Sequence, residues 1–286
     1  MPGSPFFKKL VLRCLGGILV FVFLFENRGA AIDHSTITEV VNDVSVLDPR
    51  NKNADAATTD EVFHVPDIMR TGADSRSEMV AEDQTITRVG ANTLFSFEPK
   101  ERVINLKEGS ILFQSPRGEG GGTIRTASAT ASVLGTTIIV VATADGGFKL
   151  LVLEGTGQVR MPNGKRIVVH GGQLVVVPPG AAAPGPVVDF LLSQEVNTSL
   201  LVRGFKRPLP SWGKIEKQIQ EQNQQIASGR FVVPGTVLGS IPNPNTRINQ
   251  TQTQHLEEPT PAATPTPPPT PAPKPRRPRG SGFPIR

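Results

Sequence analysis

An all-β domain is expected over the middle of the chain, and three observations lead to it. First, a short pattern recurs. Ile104-Asn-Leu-Lys-Glu-Gly-Ser-Ile-Leu-Phe-Gln-Ser-Pro116 and Leu150-Leu-Val-Leu-Glu-Gly-Thr-Gly-Gln-Val-Arg-Met-Pro162 share Glu-Gly at one place and close on proline. A weaker copy, Ile37 to Pro49, has Asn42 at the glycine position, and asparagine is the next residue most tolerant of a left-handed backbone. Second, turn chemistry punctuates the stretch at Val89-Gly-Ala-Asn-Thr93, Asp145-Gly-Gly147, Met161-Pro-Asn-Gly164 and His170-Gly-Gly172. Third, the segments between are of strand length and rich in Val, Ile, Thr and Phe.

The repeated pattern reads as one reused strand-turn-strand unit. Strands are expected at Thr85 to Val89, Thr93 to Phe97, Val103 to Leu106, Ser110 to Gln114 and Thr123 to Thr126. The run Ser132 to Ala142 contains Leu134-Gly-Thr-Thr-Ile-Ile-Val-Val141 and is expected to be buried on both faces. Short strands with glycine turns suit a solenoid-like stack and a two-sheet sandwich equally, so both remain open.

The chain has 286 residues, and its ends are not globular in composition. Lys8, Lys9 and Arg13 precede an apolar run from Cys14 to Phe25, then Gly29-Ala30-Ala31 with small residues where a signal peptidase would cut. This is the shape of a secretory signal peptide, with a run shorter than the roughly 20 residues a spanning helix needs. The expectation is export to the periplasm or cell envelope, the alternative being a retained anchor. The single cysteine, Cys14, lies inside this segment, so the mature chain would have no disulfide and no thiol chemistry.

The net charge of +5 comes from the ends: residues 1–31 carry four basic side chains and one acidic, and the tail from Pro259 five basic and none acidic. The body is slightly acidic and lacks a basic footprint for nucleic acid.

After Val187, apolar residues recur at three- and four-residue steps (Val188, Leu191, Leu192, Val196, Leu200, Leu201), which suggests a helix. A second follows Pro210, with Ser211 as its cap and Trp212, Ile215, Ile219 and Ile226 near one face. That face either packs on its own domain or serves as a partner-binding helix. From Pro259 to Arg279 the chain is Pro/Thr-rich and should populate extended polyproline II, a spacer in a disordered tail. Its basic tip (Lys274, Arg276, Arg277, Arg279, Arg286) either contacts an anionic surface or simply keeps the tail soluble. The expected organisation is a signal peptide (1–31), a β domain (32–182), a helical or irregular extension (183–241) and a disordered Pro-rich basic tail (242–286).

Catalytic chemistry is hard to find. His34, His64, His170 and His255 are scattered, with no metal-ligand spacing. Gly118-Glu-Gly-Gly-Gly122 lacks the Lys-Ser/Thr of a phosphate loop and reads as a hairpin loop. Glu108 and Glu154 occupy equivalent repeat positions, which repetition explains without glycoside hydrolysis. With one Trp and no Tyr, no aromatic sugar-stacking platform is evident. No catalytic residue, cofactor or metal is assigned.

The β domain resembles the FecR domain family. The similar stretches are Arg70-Thr-Gly-Ala-Asp-Ser-Arg-Ser-Glu-Met79, Asp83-Gln-Thr-Ile-Thr-Arg-Val-Gly-Ala-Asn-Thr-Leu-Phe-Ser-Phe97 and Leu106-Lys-Glu-Gly-Ser-Ile-Leu112. They continue with Ile124-Arg-Thr126, Ala131-Ser-Val-Leu-Gly-Thr136, Val152-Leu-Glu-Gly155 and Gly171-Gly-Gln-Leu-Val175, over roughly residues 36–180. Glycines 90, 109, 135 and 155 match the family motif and are assigned to turns and close packing. The resemblance implies an extracytoplasmic β scaffold. In the best-known members it passes a signal from an outer-membrane transporter to a cytoplasmic anti-sigma segment. Only about nine residues precede the hydrophobic stretch that opens at Leu10, so the expectation is a FecR-domain protein without that segment.

Two functions follow. One is an exported, non-enzymatic module binding a protein or glycan in the bacterial envelope. The other is an extracytoplasmic sensor of a signal-transduction system, docking through its edge strands or the Trp212–Ile226 helix onto a membrane regulator. A polysaccharide hydrolase rests on fold alone.

Overall fold

The computed structural model describes residues 34–50, 53–98 and 101–230. Their 17 strands are hydrogen-bonded into one continuous sheet that bends at β9 into two facing layers, sheets A and B, of a sandwich. The chain order is β1 (His34–Val41), β2 (Val44–Asp48), β3 (Asn53–Ala56), β4 (Val62–His64), β5 (Ile68–Thr71), β6 (Arg76–Ala81), β7 (Ile86–Val89), β8 (Leu94–Phe97) and β9 (Val103–Gln114). It continues with β10 (Gly122–Arg125), β11 (Thr130–Val133), β12 (Thr137–Ala142), β13 (Phe148–Glu154), β14 (Thr156–Arg160), β15 (Arg166–His170), β16 (Gln173–Val177) and β17 (Val188–Asp189). Three helices follow, α1 (Leu192–Thr198), α2 (Leu200–Arg203) and α3 (Trp212–Ala227).

Sheet A runs β4-β1-β6-β7-β9-β12-β13-β16-β17. Sheet B runs β3-β2-β5-β8-β9-β10-β11-β14-β15. Strand β9 belongs to both: Ile104 to Glu108 pairs with β8 in sheet B, and Gly109 to Gln114 pairs with β12 in sheet A. All pairings are antiparallel except β9 with β10.

The repeated pattern marks the places where the chain crosses between sheets. β1 lies in sheet A and β2 in sheet B, with Asn42 between them at φ 61°. β13 lies in sheet A and β14 in sheet B, with Gly155 between them at φ 85°. In β9 the crossing runs the other way, through Gly109 at φ 95°. The left-handed residue swings the strand from one layer to the other, and only Gly or Asn adopts that conformation cheaply. The expected separate strands Val103–Leu106 and Ser110–Gln114 are thus one strand bent at its glycine.

A corner interrupts the regular ladder and would leave backbone groups without partners. Buried hydroxyls take them up. The Thr93 N–H donates to Thr71 Oγ1 at 2.9 Å, the Ser110 N–H to Thr93 Oγ1 at 3.0 Å, and the Asp43 N–H to Ser75 Oγ at 3.0 Å. The Thr71 hydroxyl in turn donates to the Gly90 carbonyl at 2.5 Å. The Thr136 hydroxyl donates to the Thr156 carbonyl at 3.1 Å. Threonine and serine recur beside the corner glycines because a buried backbone group left unpaired costs about 1–3 kcal/mol.

The segment 118–122 is not a hairpin loop. It lies in the crossing from the end of β9 in sheet A back to β10 in sheet B, where Thr123 comes to lie parallel to Val103. The chain takes one solenoid-like turn at this point, inside a sandwich.

Two apolar layers result. Between the sheets, Ile37, Phe63, Phe95, Leu106, Phe113, Val140, Leu150 and Val159 are among the residues of the main core. The second layer lies on the outer face of sheet A, where Leu112, Ile139, Val141, Leu151 and Leu153 meet Phe190, Leu192, Val196, Leu201 and Ile215 of the C-terminal segment. Strands β12 and β13 are therefore buried on both faces.

The expected helix from Val188 to Leu201 is broken. It begins as β17, which pairs with β16, and Ser199 in extended conformation separates α1 from α2. Ser211 does not cap α3 with its side chain. Its hydroxyl bonds instead to Thr137 of sheet A at 2.7 Å, so it fastens the helix to the sheet.

Candidate interaction face

The two outer faces of the sandwich differ in what covers them. On sheet A, alternate side chains of β6, β7 and β13 point outward under the chain's own C-terminal segment, and several are charged. Arg88 is fully buried and its Nε donates to Glu78 Oε2 at 2.8 Å. The rest of its guanidinium donates to the carbonyls of Leu201 (3.1 Å), Val202 (2.9 Å) and Arg207, and the ring of Phe205 lies 4.6 Å from its Cζ. Glu78 also accepts from Thr38 Oγ1 at 2.9 Å and from Arg207 at 3.3 Å. Burial pushes the Arg88 guanidinium down from its ordinary value, and Glu78 opposes the shift. On β13, burial likewise pushes the Lys149 ammonium down while the charge of Glu195 on α1 opposes it.

Further polar anchors hold the C-terminal segment. Gln222 is buried; its amide nitrogen donates to the Phe190 carbonyl at 2.8 Å and its amide oxygen accepts from the Leu192 N–H at 3.0 Å. Arg76 Nε donates to the Gly204 carbonyl at 2.7 Å. Of the residues proposed as a partner helix, Ile215 is fully buried against sheet A. Trp212 and Ile219 pack on the same cluster, and Arg203 stacks 4.4 Å from the Trp212 ring. Ile226, in the last turn, is 40% exposed. The basic tip residues Lys274, Arg276, Arg277, Arg279 and Arg286 lie outside the described residues.

On sheet B no helix covers the outer face among the described residues. Across β10, β11, β14 and β15 its outward side chains are mostly hydroxyls, amides and arginines, with the exposed Val168 and His170 among them. A cleft of about 600 Å³ crosses β10, β11 and β14, lined among others by Thr123, Arg125, Thr130, Ser132 and Arg160. Thr123 and Ser132 share a hydroxyl hydrogen bond at 3.3 Å, and Arg125 pairs with Glu98. A smaller cleft of about 300 Å³ adjoins it through Ser132, where Leu134, 70% exposed, and Val168, 45% exposed, flank Gln158.

A third cleft, of about 530 Å³, lies at the margin of the helical cover, with Glu39, Arg76, Arg203 and Lys206 in its wall. Arg76 and Arg203 are engaged with the protein itself, as above, and the Lys206 N–H donates to Glu39 at 3.0 Å.

The two equivalent glutamates sit apart in character. Glu154 is buried on sheet A, accepting from Thr137 Oγ1 at 2.9 Å, whereas Glu108 is half-buried on β9 opposite Leu94. Neither lines these clefts. His34 and His64, distant in sequence, face each other across β1 and β4 with ring centroids 6.2 Å apart, and His34 meets Glu82 at 3.0 Å. Among the described residues no group of three or more His, Cys, Asp or Glu side chains could hold a metal ion, and no helix is long and apolar enough to cross a membrane.

Sequence reading missed the buried Arg88–Glu78 pair. Arg88 and Glu78 stand among outward-facing strand residues, and their burial depends on a segment over a hundred residues later. It also missed the contrast between the two faces, for the same reason.

Residues 67–156 match the family model described as FecR protein. The matched segment runs from the start of β5 to the corner after β13, so strands on either side and all three helices extend beyond it. No curated protein matches. Two crystal structures of a candidate anti-sigma factor from Parabacteroides distasonis ATCC 8503 resemble the chain, at 19% and 17% identity and TM-score 0.40 in both cases. The similarity covers 44% and 45% of this chain and 61% and 63% of those chains, less than two thirds of their length.

Proposed function

We propose, on the premise that residues 67–156 are a FecR domain, that the chain is an exported, non-enzymatic binding module of the bacterial cell envelope that engages a protein or glycan through sheet B. The observation that carries this reading is the contrast between the faces. Sheet A is closed by buried polar anchors to the chain's own helices, and sheet B presents clefts lined by Arg160, Ser132, Leu134 and Val168. Clefts with a few convergent polar groups are the default binding surfaces of a folded domain. In this reading residues 1–31 are a signal peptide and residues 242–286 a Pro-rich spacer whose basic tip rests on an anionic surface.

The FecR match also supports a second reading, an extracytoplasmic sensor component that acts on a separate membrane regulator. It uses the same scaffold and differs in the partner.

Cell fractionation with mass spectrometry of the intact protein tests the address. The expected result is a mature chain beginning near Ile32 in the envelope fraction. A cytosolic protein retaining residues 1–31 would overturn the export on which both readings depend.

A further inference from the structure

The edge of sheet B at β15 is the place where the binding-module reading becomes specific. In the hairpin joining β14 to β15, the Met161 N–H donates to the Lys165 carbonyl at 2.8 Å, and below it the Gly171 N–H donates to the Gly155 carbonyl at 3.0 Å. Hydrogen-bonded pairs in an antiparallel ladder alternate. With the register Arg160 to Arg166, Val159 to Ile167 and Gln158 to Val168, the odd-numbered residues are the bonded ones. The N–H and C=O groups of Arg166, Val168 and His170 therefore point away from β14. The His170 N–H is taken up by Gln173 Oε1 at 3.1 Å. No strand pairs with the other side of β15 among the described residues, so the groups of Arg166 and Val168 form an open edge.

The side chains beside this edge have a definite chemistry. Ile167 and Val169 face the core, so Arg166, Val168 and His170 share the outer face with Thr156, Gln158 and Arg160. Arg160 and Arg166 stand directly opposite in a non-hydrogen-bonded pair, the closer of the two pair types. Like charges in that position are destabilising. Neither has an acidic partner among the described residues, whereas Arg125 nearby is paired with Glu98. Two residues along, Val168 and the exposed Leu134 flank one small cleft.

Resting on the binding-module reading, we propose that β15 accepts an extended segment of a protein partner as an added strand. That segment carries an acidic side chain opposite Arg166 and an apolar one two residues away, opposite Val168. Backbone bonds from an exposed edge supply affinity, and alternate side chains supply specificity. Charge selects the occupant. Antiparallel pairing with a second copy centred on Val168 would set Arg166 against His170 and bring no acidic group to the two arginines, whereas an acidic strand relieves the repulsion between Arg160 and Arg166.

The test is fluorescence anisotropy of the full chain with a labelled ten-residue peptide built on Val-Thr-Glu-Thr. Saturable binding is expected, weakened at least about tenfold when glutamate is replaced by lysine. The charge reversal Arg160→Glu/Arg166→Glu should weaken it by a similar factor. So should Val168→Pro, which removes an outward N–H but no bond to β14, as proline on edge strands does. Both variants should melt like the parent chain. Peptide binding unaffected by Val168→Pro would overturn the proposal, as would no peptide binding at all. Binding of an oligogalacturonate in place of the peptide would overturn it too, in favour of a glycan on the sheet face, and would leave the binding-module reading standing.

Discussion

Arg88→Ala is expected to cost about 3–5 kcal/mol of stability, the usual consequence of removing one member of a buried ion pair. Its position explains the size. The guanidinium is fully buried, neutralises Glu78, and donates to three carbonyls of residues 201–207, so its loss leaves a buried carboxylate and unpaired carbonyls together. Glu78 retains Thr38 and Arg207, which limits the damage. For a folded part of about 200 residues the loss corresponds to a melting shift of roughly 10 °C. Hydrogen exchange should locate it, with protection falling first in residues 188–222 and later in β12 and β13. The double change Arg88→Met/Glu78→Leu should recover at least about 1 kcal/mol of the single loss, since paired apolar replacement removes the stranded charge. A loss below 1 kcal/mol in urea unfolding of Arg88→Ala would mean that the C-terminal segment is not held by this pair.

Gly109→Ala is expected to cost about 3 kcal/mol or more, and a second glycine provides the comparison. Gly118 has nearly the same backbone, φ 93° against 95°. A Cβ on Gly118 meets nothing within 4 Å, so Gly118→Ala should cost only the conformational penalty of about 1–2 kcal/mol. A Cβ on Gly109 would collide with the Cα and side chain of Thr93 across the corner. That backbone cannot move without losing the hydroxyl that receives the Ser110 N–H. The excess over Gly118→Ala therefore measures close packing at the crossing point. Equal losses in the two variants would show that packing against Thr93 contributes nothing. Gly155→Ala, whose Cβ would lie 2.9 Å from Thr136 Oγ1, should fall between them.

These two positions also show what a sequence reading reaches. The Glu-Gly repeat, the turn residues and the β-branched runs are local signals, and they led to an all-β domain with strands near their observed places. The meaning of the repeat was not local. An alternating run interrupted by glycine reads alike whether the chain reverses or bends through a corner, and only the partners of β9 in two different sheets distinguish them. The same holds for Gly118 to Gly122, where the parallel register of β10 on β9 excludes a hairpin. Helical periodicity after Val187 was legible, but the break at Ser199 and the bond from Thr137 to Ser211 depend on contacts with sheet A. The candidate face was the least legible part. Arg160 and Arg166 become a cross-strand pair through a hairpin register, and the openness of sheet B is defined by where α1 to α3 settle.

On the proposed function, partners meet this chain on sheet B and not on the helical cover. Site-specific photocrosslinking in intact cells tests it most directly, with the crosslinking residue placed at Thr130 or Gln158 on sheet B, or at Lys217 on the exposed side of α3. One adduct is expected, the same from Thr130 and Gln158, reduced by Arg160→Glu/Arg166→Glu and absent from Lys217. An adduct from Lys217 with none from Thr130 or Gln158 would contradict it and would move the binding surface to α3.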